Sequence, residues 1–235
     1  MDETALQKQL KSKKVVAVRG SSNVWSTEPT ANFHLTIVAC GSAASFVVPP
    51  AFVLPGKTVS SRLLEGCEVT GAAVATSPSG FMNSALFEEW LQYFAQSVLA
   101  SVKRPLVLIL DGCAFHYSTK VVDLAANLRI MLVFLPNATH LLQPLNVAVF
   151  AKLKNKIREL IDELVDEDHE GYFTISKDEA IKVSSLAWKG SKMARNIDSG
   201  FMACGLFPLS LVKIQAQRSA TSCSTTALAA NEDER

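Results

Sequence analysis

The chain has 235 residues, 49% of them hydrophobic and 19% charged, with a net charge of +1. That is enough apolar content for one core, and the near-neutral charge gives no bulk electrostatic argument for a nucleic-acid partner. Five cysteines, an odd number without a CxxC pair, argue against a disulfide framework, and no apolar run reaches the length of a membrane span. The polar N-terminus does not read as a signal peptide, so the expectation is a soluble, intracellular protein without a membrane partner.

In chain order, Lys8, Lys11, Lys13 and Lys14 form a basic start that reads as solvated. Residues 14–19 (KVVAVR) then predict a short strand, stopped by the turn cluster Gly20-Ser21-Ser22-Asn23. Residues 33–40 (FHLTIVAC) alternate with strand periodicity, and His34 reads as a strand surface residue. Residues 45–54 predict a further strand broken by Pro49-Pro50, which places it at an edge or a bulge. Together these make an antiparallel meander, with one more short strand at 71–76 within a loop-rich stretch. From Ala85 to Val102, Leu86, Phe87, Trp90, Leu91, Phe94, Val98 and Leu99 form a helical stripe, with Asn83 or Ser84 as N-cap.

Residues 106–146 carry the organising unit. Leu106–Leu110 and Ile130–Leu135 are short apolar runs that read as strands buried on both faces, and residues 119–128 supply a crossover helix. A strand–helix–strand unit is parallel and right-handed, so both strands end on one edge of the sheet. Open α/β sheets bind ligands beyond that edge. Asp111, His116, His140 and Asn146 are therefore candidates for one cleft. Pro144 opens a helix whose stripe runs through Asn146, Phe150, Leu153, Ile157, Leu160 and Leu164, with Asn146 directed at the strand ends. Its outer face is basic (Lys152, Lys154, Lys156, Arg158), then acidic, and either is simply solvated or lies along a phosphate backbone. Helices near 176–188 and 195–204 follow, and the polar end of the chain reads as disordered.

An aspartate at a strand end suits Mg²⁺, which takes carboxylate oxygens and keeps several waters. Two such ions roughly 4 Å apart support phosphodiester cleavage, given two or three converging carboxylates. Spacing alone names only Asp111, which serves equally well as a cap or structural acceptor. A small-molecule hydrolase or phosphotransferase using Asp111 ranks lower, because the chain has neither a Gly-rich phosphate loop nor a GxSxG elbow.

The segments LILDGCAFH and LPNATHLLQPLNVAVFAKLK resemble the DDE superfamily endonuclease domain of pogo/Tigger-type transposases. The resemblance extends to Met1-Asp2-Glu3-Thr4, KKVVAVRGSSNVW, GFMNSALFEEWLQYF and GFMACGLFP. It implies a ribonuclease H-like mixed sheet flanked by helices over residues 1–210, with a disordered tail over 211–235. It also implies metal-dependent DNA strand cleavage and transfer with Mg²⁺ or Mn²⁺, a nuclear location, and assembly of more than one copy on DNA. The family's three acidic ligands match Asp2, Asp111 and Asn146, so the third is an amide. The expectation is an impaired nuclease or, alternatively, a catalytically inactive DNA-binding remnant. Lys152, Lys154, Lys156, His116 and His140 are its expected DNA contacts. Only Met1 precedes Asp2, so the first strand reads as truncated, leaving an exposed edge beside Leu106–Leu110.

Overall fold

A computed structural model of the chain describes residues 1–6, 19, 33–135, 142–166 and 174–216. The expected strand at 14–19 therefore lies outside the described residues, apart from Arg19, as does His140.

Three strands form an antiparallel ladder: β1 (Asp2–Leu6), β2 (Leu35–Gly41) and β3 (Val47–Pro55). A fourth, β4 (Ala73–Ser77), adds to β3 in parallel, so the expected meander ends in a parallel strand. This makes β3 an inner strand, contrary to the edge position that Pro49-Pro50 suggested. The prolines are accommodated because the β2–β3 register shifts between Val38 and Cys40 and the β4 pairing begins only at Ala51. The bulge reading holds and the edge reading does not.

Helix α1 (Ser84–Ser97) follows, its first turn capped by Asn83, whose Oδ1 accepts from the Leu86 N–H at 3.0 Å. Phe87, Trp90, Leu91 and Phe94 are its buried stripe, and the helix stops short of Leu99, which is exposed. Next come β5 (Leu106–Leu110), α2 (Thr119–Asn127) and β6 (Ile130–Phe134), with β5 and β6 paired in parallel as expected. Only one face of this pair is buried. Leu108, Leu110 and Ile130 pack with α1 and α2, whereas Val107 is 61% and Met131 54% exposed. Continuous apolar runs imply cover on both faces, and here the second face has none among the described residues.

The helix expected from Pro144 is two helices, α3 (Pro144–Ala148) and α4 (Phe150–Asp166), with Val149 between them. Phe150, Leu153, Ile157 and Ile161 of α4 lie against β2 and β3 in a core with Leu35, Ile37, Phe52 and Leu54. Helix α5 (Lys177–Gly190) opens with a capping box between Ser176 and Glu179. Helix α6 (Met193–Cys204) ends at Gly205, whose φ of 71° suits a residue without Cβ. Residues 211–216 are helical, so the expected tail does not begin at 211.

The result is a mixed four-stranded sheet in the order β1-β2-β3-β4 and a separate parallel pair β5-β6, with helices on both faces; the mixed strands and flanking helices match the ribonuclease H-like expectation, but β1 and β5 are not paired into one sheet. Strand β1 is five residues long and begins at Asp2 rather than ending there. Toward β5 it is joined by the Met1 ammonium, which donates to the Ile109 carbonyl at 2.8 Å. That bond brings the start of β1 to the end of β5.

Candidate metal and nucleic-acid site

Alternation along β1 places Asp2, Thr4 and Leu6 on one face. Leu6 belongs to the core beneath α4, so Asp2 looks toward α4. Its Oδ1 accepts from the Glu3 N–H at 2.8 Å, while Oδ2 is buried without a hydrogen-bond partner. Burial pushes the Asp2 carboxyl up to about 7; the nearby Asp111 charge adds to the rise, and the Glu3 N–H, the N-terminal ammonium and Lys154 oppose it. Asp2 and Asp111 are thus electrostatic neighbours.

Asp111 leaves β5 into a short 3₁₀ turn, Ala114–Tyr117. Its Oδ1 accepts from the Cys113 N–H at 3.2 Å and lies 3.0 Å from His116 Nδ1. The His116 hydrogen bond, first among the causes, holds the Asp111 carboxyl below the usual range. His116 was expected to contact DNA. It is instead 1% exposed, bonded to Asp111 and tilted against Phe87 at 4.4 Å between ring centroids, so no phosphate reaches it.

Asn146 lies on α3, whose Leu145 packs into the same core as Leu6. It is exposed, contrary to the expectation that it turns from water, and its Nδ2 donates to Gln143 Oε1 at 2.6 Å. Gln143 is itself buried, with Nε2 lacking a partner. The basic residues of α4 do not form one stripe. Lys152 donates to Asn196 at 2.7 Å and Lys156 pairs with Glu159 at 3.1 Å, whereas the Lys154 charge acts on Asp2.

Sequence reasoning missed Glu3. Its Oε1 is buried without a partner, and burial, then the charges of Asp2 and Asp111, push its carboxyl up to about 8. The signal was present, since an acid inside a paired strand next to another acid has little water to share. Among the described residues, no three His, Cys, Asp or Glu side chains group so as to hold a metal ion. The unpartnered Asp2 Oδ2 and the neighbouring Asp111 carboxylate would suit one divalent ion completed by waters, as Mg²⁺ accepts.

The raised carboxyls have a measurable consequence for the metal-free protein. A group whose folded pKa exceeds its unfolded value contributes stability that is complete below about pH 4 and is lost as pH rises through the folded value. For Asp2 and Glu3 that window runs up to about 7 and about 8. In chelator the melting temperature should fall between pH 5 and 8, and Asp2→Asn/Glu3→Gln should flatten the trend. Thermal melts across that range check it; parallel curves for both proteins would contradict it.

Two solved structures resemble this chain in fold: the Mos1 strand transfer complex, with TM-score 0.47 and 13% identity, covering 84% of this chain and 52% of that one. The Mos1 transposase paired-end complex with left transposon end gives TM-score 0.46 and 14% identity, covering 86% and 52%. The MFS-type transporter clz9 of Cochliobolus lunatus is 29% identical over 186 residues, 77% of this chain but 20% of that protein. The chain therefore spans about half of those structures' chains and a fifth of that relative, and no described helix is long and apolar enough to cross a membrane. A family model matches residues 33–201, a span that holds Asp111 and Asn146 and begins after Asp2. The chain belongs to the DDE superfamily endonuclease family.

Proposed function

We propose that this chain is a transposase-derived DDE domain of the pogo/Tigger type that binds DNA and one divalent cation, and that its strand cleavage is impaired. The observation that carries the reading is the buried Asp2, with an unpartnered Oδ2, beside Asp111 in a family whose chemistry uses acidic residues. Mg²⁺ or Mn²⁺ held there would supply Lewis acidity to a phosphodiester. Asp2 and Asp111 provide the negative charge that holds it, and Asn146 offers an amide carbonyl without charge. Lys154, near Asp2, is suited to a phosphate on the same side. The second reading, an inactive DNA-binding remnant, is favoured by the engagement of Asn146 with Gln143. A nuclear location and assembly of several copies on DNA belong to the same proposal.

DNA binding should be salt-dependent and indifferent to sequence, since phosphate contacts release counterions. Removing one phosphate-contacting lysine reduces the salt slope by about one. Lys154→Ala should do so, while Lys156→Ala, whose ammonium is paired with Glu159, should change it less. Mobility shifts with duplex DNA across a salt series test this. Absent or salt-independent binding would contradict the proposal.

A further inference from the structure

The Asp111–His116 pair is not explained by the family's acidic triad. Among the described residues, both side-chain hydrogen bonds of Asp111 land on Oδ1, from Cys113 N–H and from His116. Oδ2 is then the oxygen left for a cation. His116 Nδ1 also lies 3.3 Å from the Asp111 backbone carbonyl. A carbonyl and an ionised carboxylate only accept hydrogen bonds, so Nδ1 must carry the proton. The ring cannot turn away easily, because it is 1% exposed and rests against Phe87, itself fully buried on α1.

We propose that His116 is a positioning residue. Clamped by Phe87, its Nδ1–H fixes the Asp111 side chain in one rotamer and presents Oδ2 alone as a one-oxygen ligand to a divalent cation. The inference rests on the metal-binding reading above and deepens it. Partners that orient a ligand in this way commonly change metal affinity by about 10–100-fold when removed.

The test uses the whole chain and two variants. His116→Asn keeps a donor close to the place of Nδ1, whereas His116→Leu fills the space and donates nothing. Mn²⁺ binding followed by electron paramagnetic resonance should weaken roughly tenfold or more in His116→Leu. It should stay within about threefold of wild type in His116→Asn, by the same criterion. Melting temperatures taken alongside separate loss of fold from loss of positioning. Equal affinities in both folded variants would overturn the proposal. A second readout needs no metal: imidazole ¹⁵N shifts of the chelated protein should show His116 protonated at Nδ1. A proton on Nε2 alone would overturn the inference while leaving the metal-binding reading standing. Correct protonation with no Mn²⁺ bound by wild type would instead sink that reading, and the cation-presenting role with it.

Discussion

Replacing Asn146 by aspartate should raise Mn²⁺-dependent nicking of supercoiled DNA by on the order of 100-fold, equivalent to about 2.7 kcal/mol of transition-state stabilisation. A carboxylate at the head of α3 adds the full negative charge that an amide lacks, and that charge helps offset the dehydration of a second ion. The surroundings already suit it. Gln143 now accepts from Asn146 Nδ2 and leaves its own Nε2 buried without a partner. Turning the Gln143 amide over would let Nε2 donate to a carboxylate at position 146, keeping one hydrogen bond between the two side chains and leaving Oε1 in place of Nε2 as the buried atom without a partner. The substitution should therefore leave the melting temperature close to that of the wild type. Nicking by the wild-type chain equal to that of the variant would show that the amide is no handicap.

Gly200→Ala should destabilise the protein by about 3 kcal/mol, the upper part of the usual range for overpacking. At about 2–4 °C per kcal/mol for a chain of this size, melting should drop by roughly 6–12 °C. Gly200 on α6 lies directly against the start of α3. A Cβ there would collide with the Pro144 carbonyl oxygen and stand 2.9 Å from its carbon and 3.0 Å from its Cα. These are backbone atoms at the start of a short helix, so relief requires moving α3, and Gln143 and Asn146 with it. Differential scanning calorimetry measures the loss; a shift under about 2 °C would mean that α3 moves freely, a cost below 1 kcal/mol.

These two residues also show what the sequence makes legible. The parallel β5–α2–β6 unit follows from two apolar runs and one helical stripe, and its placing of Asp111 at a strand end follows with it. The nearness of Asp2 to Asp111 came from family resemblance, because the bond that joins their strands spans 108 positions of sequence. Periodicity carries no information across such a separation. The division at Val149 of the helix that Pro144 opens was invisible for a different reason: the stripe Asn146, Phe150, Leu153, Ile157 keeps a three-to-four-residue spacing across the break. Burial of His116 was missed because a histidine after a strand end reads the same whether it faces solvent or an aromatic ring. Edge strands mislead in the opposite sense. The composition of β5 and β6 implies cover on both faces, yet Val107, Met131 and Val133 are exposed.

The sheet sets the electrostatics of the site. Two acids at the front of β1 sit where water is scarce, so protons or a cation must balance them. Metal binding there should release protons and stabilise the fold. Lys154 offsets part of the charge from the α4 side, and the N-terminal ammonium offsets part from the strand itself.

The most direct measurement is a calorimetric Mn²⁺ titration of the wild-type chain beside Asp2→Asn and Asp111→Asn. One ion per wild-type chain and none for either variant is the expected result. Two ions in the wild type, or one bound equally well by all three proteins, would contradict it.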